Sequence, residues 1–429
     1  MGRALVPLFG AGRQLGILVL DNVRSSRLDG LLERHGQVLA TLVALLLAFA
    51  ASHGRSTPYD NMARLAQSIL HGHVWIDWPG DTSDAVLWNA QRYVIEGPIP
   101  ALLMIPFVLL YHAAANQTAL AILLGAVAIS AAWDLFRRLG AGVRETMWLC
   151  AFLYAGTTLW WCSMLGDVWF VEHCSAVAFT MLALRELAAE KPKAWLVALF
   201  AAAAIGSRST MLLALPFYAH FLWHGGFVPG TSAPDSRTRI ARMRSFALTL
   251  VPFAAAWVWY NFVRWGVWYD IGYVEFYHHD GWGQTTGSPF RLAYFPYEFY
   301  SFFFQAPALV EFRQLAWWPF FKVDVHGVAL TWSSPALIYA FWARAPRMYL
   351  AVVWTTIALV ALPSFLYYLN GWYQYGMRHA LDFEPFLLVL MALAARAGLP
   401  RWEKILIGWS IAMSVWGIWY WDAFYRTGN

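Results

Sequence analysis

Charge is scarce in this 429-residue chain: Asp, Glu, Lys and Arg together make up 13% of it, about half the share of an average soluble protein. The hydrophobic residues, 60% of the chain, fall into continuous runs of helix-spanning length bounded by Arg, Lys, Trp or Tyr, which excludes both a soluble core and a disordered chain. The runs do not alternate, so a β-barrel is excluded as well. Cysteine is nearly absent. Cys150, Cys162 and Cys174 lie in or beside apolar runs without metal-ligand spacing and read as packed thiols. No Asp-x-Asp falls in a cytoplasmic segment, which argues against a soluble-type nucleotide-sugar transferase. A phosphate loop is missing too: Gly225-Gly226 is followed by Phe227 and Val228, and Gly10, Gly12 and Gly16 carry one residue too many for a dinucleotide fingerprint. There is no internal repeat, and Val228 to Arg239 is the nearest thing to a flexible linker. Ala4–Phe9 and Leu15–Leu20 are too short and too interrupted to read as a cleavable signal peptide.

What remains is an all-α, polytopic membrane protein with no separate soluble domain. Residues 1–35 read as a cytoplasmic segment and 36–429 as one membrane domain of about eleven spans. These are Gly36–Ser52, Thr118–Trp133, Met147–Leu165, Cys174–Leu184, Ala194–Gly206, Thr210–Trp223, Ser245–Val263, Leu330–Trp342, Tyr349–Leu369, Phe383–Ala395 and Ile405–Trp421. With this alternation, twenty of the thirty Lys and Arg residues but nine of the twenty-five acids lie inside, leaving +11 within and −6 without. The basic excess therefore marks orientation rather than nucleic acid. Two outside loops stand out, 53–117 and 264–329. Within the first, Pro98–His112 is too short to span and carries three prolines, and it reads as an interfacial or re-entrant helix.

The first loop opens on Ser56-Thr-Pro-Tyr-Asp60 and continues into a short amphipathic helix with Met62, Leu65, Ile69 and Leu70 on one face. Asp60 reads either as the N-cap of that helix or as a carboxylate held at the membrane surface for chemistry. Other charges gather on the same side: Asp167, Glu172 and His173 in the second outside loop, Arg208 at a Ser-Arg-Ser break, Arg378 with His379, and Asp270, Glu275, His278, His279 and Asp280 in the long loop. Solvated loop acids and a snorkelling Arg378 are the plainer readings. Arginine between two short spans is costly in lipid, so Arg208 is expected to face a polar cavity. The pairs Trp160-Trp161 and Trp317-Trp318 read as interface belts.

Tyr260-Asn-Phe-Val-Arg264-Trp-Gly-Val-Trp-Tyr-Asp270-Ile-Gly-Tyr273 resembles a "YN-x-x-RFG … GY" pattern of bacterial membrane glycosyltransferases of the GT-C superfamily, related to family 39 and the aminoarabinose transferases. His326 to Pro335 resembles their "G-L-x-x-x-S-P" helix start, Gly376-Met-Arg378-His-Ala-Leu-Asp382-Phe-Glu-Pro385 their "G-x-R-Y" segment, and Asp60 to Gly72 their acidic first loop. Trp265 and His379 depart from the pattern, which has Phe and Tyr there.

The resemblance implies an inverting glycosyltransferase of the bacterial cytoplasmic membrane, with its site on the periplasmic side. It would move a sugar from a polyprenyl-phosphate donor to a hydroxyl of a lipid, glycan or protein acceptor. It further implies Asp60 as the base or acceptor-orienting carboxylate, Arg378 and Arg208 at the donor phosphate, and Tyr273, Asp270 and Tyr375 as outside substrate contacts. Asp167, Glu172 and His173 would orient substrate or hold a divalent cation, Mg²⁺ or Mn²⁺ by its oxygen ligands. A transporter of lipid-linked sugars and a non-catalytic scaffold on the same fold are the competing classes. Against transport, the charges collect at one face instead of the midplane. The Pro98–His112 helix is expected to line the lipid path, so a photoactivatable lipid donor should cross-link there; labelling confined to the cytoplasmic loops would exclude that placement.

Overall fold

The computed structural model describes residues 11–78, 85–279, 287–309, 321–372 and 374–423, with side chains from Asp29 onward. Sixteen helices are described: α1 (Ala11–Ser52), α2 (Asn61–Leu70), α3 (Ile99–Tyr111), α4 (Gln117–Arg138), α5 (Val143–Ala155), α6 (Leu159–Leu165), α7 (Val168–Leu187), α8 (Ala194–Ile205), α9 (Leu215–His224), α10 (Ser236–Trp265), α11 (Gly272–His279), α12 (Phe295–Phe303), α13 (Leu330–Ser333), α14 (Arg347–Leu366), α15 (Glu384–Ala394) and α16 (Arg401–Trp421). Every span expected from sequence contains helix, but the expected count of eleven is not met by length. Among the described residues five helices are long and apolar enough to cross a membrane, α4, α7, α10, α14 and the Asp29–Ser52 part of α1. The bent pair α5 and α6 makes a sixth. Several others, such as α8 with 12 residues and α15 with 11, fall short of the roughly 20 that span a bilayer. Helix α1 runs unbroken through residue 36, where the membrane domain was expected to begin.

Small residues let the central helices approach closely. Ala121, Gly125, Ala128 and Ala132 of α4 and Ala176 and Ala183 of α7 are all buried in this interior. A Cβ on Gly125 would stand 2.4 Å from the Ser163 hydroxyl. All three cysteines are buried there as free thiols, as expected.

The helices have two chemically different ends. At one, ion pairs tie α1, α4, α5 and α7 together: Arg144 to Asp29 at 2.6 Å, Arg137 to Glu33 at 2.8 Å, and Asp134 to both Arg138 and Arg185. The other end holds what sequence reads as outer loops. Gln117, fully buried at the start of α4, organises it. Its Nε2 donates to the Tyr59 and Gly166 carbonyls, and its Oε1 accepts from the Met62 and Ala63 amides. Those two amides are orphan donors of the first turn of α2, so Gln117 does the work expected of an N-cap. Met62 and Leu65 of α2 are buried as predicted; Leu70, expected on the same face, is exposed.

Between α2 and α3 lies an antiparallel hairpin, β1 (Ala85–Trp88) and β2 (Gln91–Val94), absent from the sequence reading. Its two-residue turn, Asn89-Ala90, has both φ angles positive, at 48° and 63°. Such turns usually advertise themselves with Gly at the second position, and here Ala stands there. The Tyr260–Tyr273 stretch anchors this hairpin. Arg264 is buried against the Tyr260 ring (4.0 Å) and donates to the Val94 carbonyl (2.9 Å), to Asn261 (2.8 Å) and to Asp270 (3.3 Å), while the Trp265 indole donates to Asp270 at 3.1 Å. Helix α3, 13 residues long, is the short proline-bearing helix expected from sequence. A second strand pair, β3 (Ala308–Leu309) with β4 (Phe321–Lys322), lies in the long loop.

Just before α3 the chain crosses the segment after α8 at contact distance. The Ile99 amide donates to the Gly206 carbonyl, and a Cβ on Gly97 would lie 2.1 Å from that same oxygen. Gly97→Ala is expected to force the two segments apart and cost about 1–3 kcal/mol, the usual penalty of overpacking. Thermal unfolding in detergent reads this directly, and an unchanged midpoint would mean the crossing yields freely.

Candidate functional site

Several of the helix ends predicted to face outward converge on one cavity of about 760 Å³. Arg55 to Tyr59 after α1, Leu165 at the end of α6, Arg208 after α8, Tyr367 after α14 and Trp421 at the end of α16 all line it.

Gly166 delivers the first carboxylate. It ends α6 with φ at +68°, and a Cβ there would meet the Thr118 backbone at 2.5 Å, so both dihedral and space require glycine. The next residue, Asp167, starts α7 and accepts a hydrogen bond from the Thr57 hydroxyl. Thr57 is held in turn, its amide donating to the Thr118 hydroxyl (3.1 Å), which donates to the Leu165 carbonyl (2.7 Å).

One and a half turns on, Glu172 and His173 enter a buried ionic cluster. Arg208 donates through Nη1 to Glu172 at 2.5 Å and through Nη2 to Asp382 at 3.0 Å. Its Nε lies 3.3 Å from both Asp382 oxygens. Asp382 also accepts from the Thr210 hydroxyl (2.7 Å) and from His173 Nδ1 (3.2 Å). Burial by itself would raise the Asp382 carboxyl, but Arg208 and then His173 outweigh it and hold the group well below the usual carboxylate range. Burial would likewise lower Arg208, and Asp382 and Glu172 reverse that. Arg208 thus faces a polar cavity, as its cost in lipid demands, and two carboxylates occupy its guanidinium.

Arg378 lines the same cavity, its Nη1 donating to Gln374 Oε1 at 2.9 Å and to the Trp372 carbonyl at 3.3 Å. Tyr273, Glu96 and His379 complete the polar wall. Burial, then the Glu172 carboxylate, pushes the Tyr273 phenol up, so it stays protonated. Aromatic rings of Tyr59, Trp169, Phe276, Tyr367 and Trp372 form much of the rest.

Of the residues singled out from sequence, then, Asp167, Glu172, Arg208, Tyr273 and Arg378 meet at this cavity, with His173 directly behind. Asp60 does not line it: although Tyr59 does, the Asp60 carboxylate turns to Arg64 Nε at 2.7 Å and makes no cap bond to α2. Asp270 is held by Arg264, Trp265 and the Gly272 amide, and Tyr375 is fully buried with its hydroxyl 2.6 Å from Ser414. Both serve the scaffold in this structure. His278 and His279 are exposed, while Asp280, Trp317 and Trp318 lie outside the described residues.

Asp382 was quoted within a sequence pattern but assigned no role. Its signal was there, an acid at the mouth of the apolar run from Phe383; what was hidden is its partner 174 residues away. Among the described residues no three His, Cys, Asp or Glu side chains come together to hold a metal ion. With Glu172 on Arg208 and Asp167 on Thr57, the donor set expected for Mg²⁺ or Mn²⁺ is not assembled.

No family model matches the chain, and no curated protein matches it. Two crystal structures of the Archaeoglobus fulgidus oligosaccharyltransferase align with it at a TM-score of 0.48. One is the apo form, at 13% identity; the other, at 14%, is tethered through a disulfide to an acceptor peptide containing the NVT sequon. The alignments take in 90% and 91% of this chain and 55% of the other, so this chain spans about half the length of the enzyme it is similar to.

Proposed function

We propose that this chain is a membrane glycosyltransferase of GT-C type, transferring a sugar from a polyprenyl-phosphate donor to an acceptor hydroxyl at the outer, periplasmic face of a bacterial cytoplasmic membrane. The observation that carries the reading is the cavity itself: carboxylates and arginine within an aromatic wall, at the end of the bundle away from the basic loops. A second cavity supports it. About 610 Å³ and almost wholly apolar, it lies among α3, α8 and α10, with Pro98, Ile99, Leu102 and Ser209 in its lining. Its Pro98, Gly206 and Ser209 flank, along the two crossing segments, Glu96 and Arg208 of the first cavity. An anionic headgroup in one and its isoprenoid chain in the other fit the two chemistries.

The reaction needs few parts. The acceptor oxygen attacks the anomeric carbon from the face opposite the phosphate, the bond from that carbon to the phosphate oxygen breaks, and the electron pair leaves on the lipid phosphate. The acceptor proton passes to a carboxylate. Asp167 is best placed for this, because it lines the cavity and is oriented by Thr57. Asp60, which the family resemblance makes the base, then takes the other role expected of it, orienting the acceptor at the rim beside Tyr59 and Arg64. Arg378 stabilises the charge developing on the departing phosphate; its planar guanidinium suits two phosphate oxygens at once. No step is routed through a metal ion.

Turnover of a panel of polyprenyl-phosphate sugars with lipid, glycan and peptide acceptors tests this. Asp167→Asn should lower turnover by about 10²–10⁴-fold, the range for loss of a general base, with donor binding retained. Asp60→Asn should act mainly on the acceptor's KM, and Arg378→Ala should weaken donor binding and turnover together. Full turnover by Asp167→Asn with loss in Asp60→Asn would return the base to Asp60, and lipid flux without sugar transfer would replace the enzyme by a transporter.

A further inference from the structure

Arg208 Nη2 lies 3.2 Å from His379 Nδ1. A guanidinium only donates, so Nδ1 must present its lone pair, and a neutral ring must then carry its proton on Nε2. His379 lines the cavity beside Arg378, and among the described residues no protein acceptor takes the Nε2 proton. The ring cannot change roles easily. Arg208 is locked by Glu172 on Nη1 and by Asp382 on Nε and Nη2, and His173 stacks edge-on at 5.4 Å. Burial, then Arg378 and Arg208, oppose a charged ring, with only Asp382 favouring one.

We propose that His379 is a substrate-binding residue of this cavity: a neutral Nε2–H donor, fixed in that tautomer by Arg208, that binds a phosphate oxygen of the ligand next to Arg378. A fixed donor with no accepting capacity on that nitrogen needs an acceptor, and beside Arg378, whose guanidinium also only donates, an anionic phosphate oxygen is a stronger acceptor than a neutral hydroxyl. Arg208 accordingly acts through His379 as a positioning residue, and Asp382 through Arg208. The assignment rests on the transferase reading for the lipid that carries the phosphate, but not for the tautomer or the phosphate itself.

Nitrogen NMR of the full chain, labelled on histidine and held in detergent, tests it, with His379→Gln assigning the His379 signals. The wild type should show the neutral Nε2–H pattern unchanged between about pH 5 and pH 8, and Arg208→Lys should lose it, since one ammonium cannot cover Glu172, Asp382 and His379 together. A proton on Nδ1, or a ring that becomes cationic within that range, overturns the proposal. Undecaprenyl phosphate and inorganic phosphate are then titrated separately. The Nε2–H signal should move; His379→Phe should weaken binding by about tenfold, whereas His379→Gln, which keeps an N–H donor, should stay within about threefold. A response to inorganic phosphate places a free phosphate in the site, and a response to the lipid alone places a headgroup there; either supports the donor role. No response to either, or full binding by His379→Phe, overturns it. Binding that follows this pattern without sugar transfer from any donor would remove the transferase reading and leave the phosphate site standing.

Discussion

A guanidinium withdrawn from water must be matched by fixed negative charge, and the architecture of the site follows from how Arg208 is matched. Its two carboxylates come from remote stretches, Glu172 from the first turns of α7 and Asp382 from the turn before α15, and Arg208 itself sits in the break after α8. Removing one partner of such a cluster typically costs about 3–5 kcal/mol, while the intact cluster adds little over an apolar replacement. Its return is therefore geometric: three segments that pack against lipid or against one another elsewhere are brought into register at one point. Asp382 is further satisfied by hydrogen bonds from Thr210 and His173.

A neutral hub beside the cluster does similar work. Gln117 takes the two amides that begin α2 and the carbonyls of Tyr59 and Gly166, so the first loop, the start of α4 and the α6–α7 junction are tied at one side chain. Because Gln117 caps α2, the Asp60 side chain is not needed there and pairs with Arg64 instead. The Thr57–Thr118–Leu165 chain of hydrogen bonds runs parallel to it and orients Asp167. Two polar residues at the start of α4 thus set both acids of the outer rim without touching the cavity's charged interior.

Much of this was legible before any coordinates. Apolar runs located helices in all eleven regions, and several of the ends read as outward line one cavity. Short helices such as α8 and α15 show where the reading stopped: hydropathy marks apolar content, whereas length depends on breaks such as Gly156–Thr158 or the 3-10 turn Ser209–Ala214. The hairpin escaped because Asn89-Ala90 lacks the usual glycine. The Tyr260–Tyr273 pattern misled in another way. Its Arg264 and Asp270 have the residue types of a binding site, but they close on each other, on Trp265 and on the Val94 carbonyl. Composition tells that a charge near lipid needs a partner; only the fold tells whether that partner is the protein or a ligand.

The distinction orders the cations of the site. Arg264 is consumed by β2 and by Asp270, Arg64 by Asp60, and Arg208 by Glu172 and Asp382. Arg378 donates from Nη1 to two neutral acceptors, the Gln374 amide oxygen and the Trp372 carbonyl. Neutral acceptors orient a guanidinium without cancelling its charge, and in a site walled by aromatic rings and short of water that charge acts at low dielectric. A neutral His379 beside it adds direction without adding repulsion. A guanidinium oriented by neutral acceptors on the wall of such a cavity is placed to meet a negative charge as it develops.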